Sequence, residues 1–221
     1  MGVLYLVRHA QANVEAYGPG SRTSGVGGLT ELGREQARLA GRALGERGGT
    51  IRHAIAGDLA RQQETLDIVL SAAGAAPQMT EDARWNEYDM RGLVGDDAVT
   101  RSGADLQRVV DSALDQWVTG GAVGVAEPYS AYTRRCADAL DAAQSLAGSG
   151  SSVVVVSSSG TISQVLAQVL GIAAGGWIRL SRTMVNASTS KLIVGRSGVS
   201  AVSMNEHSYL ESGGVGFATY R

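Results

Sequence analysis

The sequence predicts an α/β chain in which strands and helices alternate in layers. Three short apolar runs, at residues 3–7, 51–56 and 153–157, each lead into a stretch with helical spacing of apolar residues. Such alternation is the signature of a largely parallel sheet with helices packed against it. With 221 residues, 44% of them hydrophobic and 18% charged, the chain has enough apolar mass for one large domain, which excludes a disordered segment.

The first strand, Val3-Leu4-Tyr5-Leu6-Val7, runs directly into Arg8, His9 and Ala10. A glycine-rich stretch, residues 18–28, lacks the Gly-Lys-Ser/Thr of a phosphate-cradling loop and reads as a surface rim. A helix is predicted from Thr30, with Glu31 in its first turn and Ala37, Ala40 and Leu44 facing inward. The second strand ends at Gly57, and Asp58 is placed to cap a helix whose first turn carries Arg61 and whose inner face includes Leu66, Val69 and Leu70.

Residues 81–127 are less regular and read as an insertion or cap rather than a second domain. They carry the loop Trp85-Asn86-Glu87-Tyr88-Asp89 and a helix with Val110, Leu114 and Trp117 on one face. The single cysteine, Cys136, lies on an apolar helical stripe with Tyr132, Ala139, Leu140 and Ala143, so it is expected to be a buried, inert thiol. The strand at 153–157 enters Ser157-Ser158-Ser159-Gly160 and then a helix with Ile162, Val165 and Leu166 inward. Trp177, beside Gly175-Gly176, reads as an exposed residue sealing a helix end. Residues 191–195 and 199–204, joined by Arg196-Ser197-Gly198, form a closing hairpin.

A formal net charge of −2 gives no general attraction to nucleic acid or to an anionic membrane surface. A lone cysteine forms no disulfide within the chain, the N-terminal apolar run is too short for a signal peptide, and no stretch approaches a membrane span. A soluble, cytoplasmic protein is expected, acting on small anions, with a homodimer left open.

Arg8 and His9 supply the chemistry. A neutral imidazole attacks phosphorus, and a planar guanidinium matches phosphate oxygens in bidentate geometry. If the strands at 3–7 and 153–157 are parallel, their carboxyl ends share one sheet edge and the serine turn faces His9. Arg61, in a first helical turn, joins backbone N–H groups that already favour an anion.

Taken together, Leu6-Val7-Arg8-His9-Ala10, Leu29-Thr30-Glu31-Leu32-Gly33 with Gln36-Ala37, Asp58-Leu59-Ala60-Arg61 with Thr65, and Asn86-Glu87 resemble the histidine phosphatase superfamily, also called phosphoglycerate mutase-like. Asn186-Ala187-Ser188 and Asn205-Glu206 with Leu210 fit its later positions. The resemblance covers essentially the whole chain. It implies a three-layer α/β/α sandwich around a mostly parallel sheet, as one domain over residues 1–221 with the cap at about 81–127. His9 would be the phospho-accepting nucleophile, Arg8 and Arg61 would hold the phosphoryl oxygens, and Glu87 would protonate the leaving oxygen. Gln11, Arg22, Ser158, Ser159 and Gly160 would line the substrate site. No cofactor or metal is implied.

The sequence departs from the family at one important place. Ser158 stands where the family carries a second histidine, Ala10 replaces a glycine, and Glu15 stands where the mutases carry asparagine. Losing one preorganised donor to a transition-state oxyanion costs roughly 3–4 kcal/mol. The leading expectation is therefore a metal-independent phosphoric monoester hydrolase of histidine acid phosphatase type, attenuated or specialised, acting on a small phosphorylated metabolite. A noncatalytic binder of phosphate or a phosphorylated ligand is the alternative, and a phosphoglycerate mutase the least supported. His207 is expected to be a strand-end surface residue rather than a replacement for the missing imidazole, and His53 structural.

Overall fold

The computed structural model describes residues 1–17, 28–95, 103–122 and 124–220. Among them, six strands form one sheet in the order β3-β2-β4-β1-β5-β6. β1 (Gly2–Arg8) is central, parallel to β4 (Ser151–Ser157) on one side and antiparallel to β5 (Thr189–Gly195) on the other. β2 (Thr50–Ala56) lies parallel to both β4 and β3 (Gln78–Glu81). β6 (Gly198–Glu206) closes the opposite edge as a hairpin with β5.

The alternation of side chains along a strand sorts the core into two layers. Leu4, Leu6, Val153 and Val155 face one side, whereas Tyr5, Val7, Val154 and Val156 face the other. The second face is covered by α1 (Glu31–Glu46) and α2 (Ala60–Ala72), through Ala37, Ala40, Leu44, Leu66 and Val69. The first is covered by α5 (Tyr129–Leu146) and α6 (Ser159–Leu170), with Cys136, Ala139, Ile162 and Val165 in contact. Two buried faces explain why β1 and β4 are continuously apolar rather than alternating.

Thr30 caps α1 by accepting the Gly33 N–H at 2.9 Å, as its sequence predicts. Asp58 does not cap α2. Leu59 occupies that position without a side-chain bond, and the Asp58 carboxylate instead accepts from Asn86 Nδ2 at 2.6 Å while its own N–H donates to Asn86 Oδ1 at 3.0 Å. A partner brought from the cap region thus outcompetes the local cap.

Between residues 81 and 127, α3 (Met90–Val94) and α4 (Gly103–Thr119) form no core of their own among the described residues. Val110, Leu114 and Trp117 of α4 enter the core of the α5–α6 face. Trp117 joins Tyr88, Tyr129, Tyr132 and Trp177 in an aromatic cluster with ring centroids 5.0–6.4 Å apart. Trp177, on α7 (Gly176–Thr183), is fully buried there, contrary to its expected exposure. The large apolar ring finds in tertiary packing the area that its glycine-flanked local sequence does not supply. Cys136 is buried, and burial pushes its thiol up to about 12, consistent with an inert core residue. Among the described residues no helix is long and apolar enough to cross a membrane.

Candidate active site

The chain leaves β1 toward α1 on one face of the sheet and leaves β4 toward α6 on the other. Adjacent parallel strands whose connections diverge in this way open a crevice at their carboxyl ends. Arg8 pairs with Ser157 at the end of the β1–β4 ladder, and the His9 N–H donates to the Ser157 carbonyl at 2.8 Å. The Arg8-His9 segment and the serine turn therefore lie side by side.

His9 is 2% exposed. Its Nδ1 lies 2.8 Å from the Ala10 carbonyl, which only accepts, so Nδ1 carries the proton and Nε2 is unprotonated. Arg61 Nε donates to that Nε2 at 3.3 Å, and Arg61 Nη1 donates to the Ala16 carbonyl at 2.7 Å. Burial first, and then the charges of Arg61 and Arg8, hold the imidazole well below its usual pKa. The result at neutral pH is an uncharged histidine whose unprotonated nitrogen faces a guanidinium. Arg8 is 3% exposed and donates through Nη1 to the Met184 carbonyl. Tyr17 lies over this pair, with its ring centroid 4.8 Å from the Arg61 guanidinium carbon and 6.2 Å from the His9 ring.

A chain of buried amides supports the His9 backbone. Asn186 Nδ2 donates to the His9 carbonyl at 3.2 Å, Thr219 Oγ1 donates to Asn186 Oδ1 at 3.1 Å, and Gln36 Nε2 donates to Thr219 Oγ1 at 2.8 Å. Gln36 Oε1 then accepts the Gln11 N–H at 2.9 Å. The segment from His9 to Gln11 is thereby held at both ends, with the C-terminal residues as part of the frame. The Gln11 carboxamide oxygen accepts from Thr30 Oγ1 at 2.8 Å, which ties it to the start of α1. A Cβ on Gly33 would stand 2.0 Å from the Gln11 carbonyl oxygen, so glycine there is a requirement of close packing.

Glu87 sits against the turn that follows β4. Its carboxylate accepts the Gly160 N–H at 2.9 Å and the Thr161 hydroxyl at 3.4 Å, at the N-terminus of α6, where a negative group is favoured. The short 3-10 turn before it, Ala83–Trp85, is firmly fixed. Arg135, bidentate to Glu127, donates Nη1 to the Arg84 and Asn86 carbonyls at 2.7 and 2.9 Å, and Ser157 Oγ donates to the Trp85 carbonyl at 2.6 Å.

Of the serine turn, Ser157 is committed to Trp85 and the Gly160 N–H to Glu87, Ser159 is half-buried, and Ser158 is 1% exposed with its Oγ accepting from Gln62 Nε2 at 2.9 Å. Arg22 and the 18–27 part of the glycine-rich rim lie outside the described residues. His207 bonds through Nδ1 to the Asn205 carbonyl, two residues back at the end of β6, as expected for a strand-end residue. His53 sits within β2, paired with β3 and β4. Among the described residues no group of three or more His, Cys, Asp or Glu stands together as a metal site.

Sequence reasoning missed Tyr17, Gln36, Gln62 and Thr219 as parts of the site. Gln36 was visible only as a motif match, and nothing in the local pattern marks the other three.

A family model described as the histidine phosphatase superfamily (branch 1) matches residues 4–207. The chain is 35% identical over 126 residues to a 2,3-bisphosphoglycerate-dependent phosphoglycerate mutase of Rhizobium meliloti, covering 54% of this chain and 58% of that protein. The matched region thus spans little more than half the length of that relative. In fold, the chain is similar to Bacillus stearothermophilus YhfR, with a TM-score of 0.71 at 19% identity over 94% of this chain and 98% of the other. It is also similar to the alpha-ribazole phosphatase of Shigella flexneri, with a TM-score of 0.65 at 20% identity over 93% and 96% of the two chains.

Proposed function

Because the chain belongs to the histidine phosphatase superfamily, we propose that it is a phosphomonoester phosphatase working through a phosphohistidine on His9. The observation that carries this reading is the state of His9: uncharged, with Nδ1 anchored to a carbonyl and Nε2 turned toward Arg61. In the first step Nε2 bonds to phosphorus as the P–O bond to the leaving group breaks, and the leaving oxygen takes a proton from Glu87. In the second, Glu87 takes a proton from water, whose oxygen displaces His9 from phosphorus and releases phosphate. Arg8 and Arg61 neutralise the equatorial oxygens throughout, with no step assigned to a metal ion. Small phosphorylated metabolites are the proposed substrates.

A noncatalytic binder is the second reading. It is favoured by the commitment of the Glu87 carboxylate to α6 and by an uncharged Ser158 beside the nucleophile. Turnover of 4-nitrophenyl phosphate by the wild type and by His9→Ala separates the two. The phosphatase reading expects hydrolysis that disappears in the variant, together with an acid-labile phosphoprotein trapped on His9 in the wild type. Equal inertness of both proteins, with phosphate still raising the wild-type melting temperature, supports the binder. Transfer between phosphoglycerate isomers with little free phosphate would instead indicate a mutase.

A further inference from the structure

Consecutive residues at the start of α2 reach two different parts of the site. Arg61 turns to His9, whereas Gln62, also fully buried, turns to the end of β4. Gln62 Nε2 donates to Ser158 Oγ at 2.9 Å and to the Trp85 carbonyl at 3.2 Å. The second contact fixes which way the carboxamide faces, because a flipped amide would set two carbonyl oxygens against each other. Gln62 Oε1 is buried without a hydrogen-bond partner among the described residues, an arrangement that costs free energy and so calls for a reason.

The consequence falls on Ser158. A hydroxyl that accepts from an amide keeps its own proton to give away, and among the described residues no acceptor takes it. Ser158 follows the residue whose carbonyl receives the His9 N–H, and it sits at the N-terminal cap of α6. Its proton is therefore uncommitted in the turn that lies against the His9 backbone.

We propose that Gln62 is a positioning residue that fixes the Ser158 hydroxyl as a neutral donor to the phosphoryl group. The pair does the work of a second cation at this corner of the site without a titrating group. The proposal rests on the phosphatase reading for its kinetic consequence, and on phosphoryl binding alone for its structural one.

A double-mutant cycle over Gln62→Met and Ser158→Ala tests it, read as kcat and KM for 4-nitrophenyl phosphate and as the affinity for orthovanadate. Ser158→Ala is expected to lower kcat about a hundredfold with KM nearly unchanged, the loss typical of one transition-state donor. Gln62→Met is expected to lower it about tenfold alone and to have almost no effect once Ser158 is alanine, the signature of coupled residues. Ser158→Thr, which keeps the hydroxyl, restores most of the activity that Ser158→Ala loses. Additive effects in the cycle, or equal activity of Ser158→Ala and Ser158→Thr, overturn the proposal. The Ser158 pair of variants decides the donor role even where Gln62→Met does not fold.

The two readings fail separately. Turnover that depends on His9 but shows no coupling in the cycle removes the Gln62–Ser158 pair and leaves the phosphatase. Coupling seen in vanadate affinity without any turnover removes the phosphatase and leaves the pair. Wild-type protein that does not bind vanadate removes both.

Discussion

After β1 the chain turns with Arg8, His9 and Ala10, and one strand over, after β4, it turns with Ser157, Ser158 and Ser159. Both turns sit at the same sheet edge in the same parallel register, and both are buried except for Ser159, which is half-buried. The first concentrates charge. It sets an imidazole against the Arg61 guanidinium, with the charge of Arg8 acting on it as well, and fixes its backbone through Asn186, Gln36 and Thr219. The second carries no charge of its own and spends its polar groups on Trp85, Gln62 and Glu87. Equivalent positions in a fold thus differ in chemistry: one turn carries an uncharged imidazole against a guanidinium, and the other is a neutral turn that holds Glu87 at a helix N-terminus.

The sharpest way to break this contrast is to remove the charge that faces His9. Arg61→Ala is expected to lower kcat/KM for an aryl phosphate by about a hundred- to a thousandfold, the loss found when one transition-state donor is deleted. Steady-state kinetics beside a melting curve check this. The same loss from an isosteric change at Ser157 would erase the distinction between the turns, because the Ser157 hydroxyl already donates to the Trp85 carbonyl.

The frame around His9 comes next in size. Gly33→Ala places a methyl group 2.0 Å from the Gln11 carbonyl oxygen, and such overpacking costs about 1–3 kcal/mol. For a chain of this length each kcal/mol lowers the melting temperature by about 2–4 °C. Thermal unfolding monitored by circular dichroism should show this loss, and an unchanged melting temperature would mean that the turn after β1 has slack that the structure does not display.

Acidity distinguishes the turns more gently, since only the first holds a titrating ring. An unfolded histidine takes up a proton near pH 6.5, whereas folded His9 does so only well below that value. Between those two pH values the unfolded state binds more protons, so stability falls as pH drops from about 6.5 toward the folded pKa of His9. Melting temperatures of the wild type and His9→Gln, compared from pH 7 downward, should therefore draw closer to each other or cross in favour of the variant. Parallel curves would contradict the lowered pKa. By the same shift His9 stays uncharged as pH falls through 6.5, so kcat/KM should show no acid limb at the ordinary histidine value.

Tyr17 offers the smallest test. Its ring is 44% exposed and lies over the Arg61 guanidinium, and a cation–π contact at so open a site contributes about 0.5–1 kcal/mol. Tyr17→Leu is expected to change KM by a few-fold and to leave kcat nearly intact. A large fall in kcat would make Tyr17 part of the machinery that fixes Arg61.

The alternation of strands and helices, the ends of β1 and β4, the Thr30 cap and the buried Cys136 could all be read from the order of residues. Each is set by short-range rules: the burial period of a strand or helix, the hydrogen-bonding of a cap, the aversion of an isolated thiol to water. The partnership of His9 with Arg61 was legible as a motif, but not the tautomer, which depends on an Ala10 carbonyl placed by the turn. Tertiary structure alone decided that Asp58 serves Asn86 and not α2, that Trp177 is buried, that Gln62 reaches Ser158, and that Thr219 reaches Asn186. The three polar contacts join residues 28, 96 and 33 positions apart, Trp177 packs on the distant Trp117 ring, and each satisfies a polar or aromatic group whose partner no local pattern names. Sequence fixes which groups must be paired when water is excluded, and only the packed sheet and helices decide with whom.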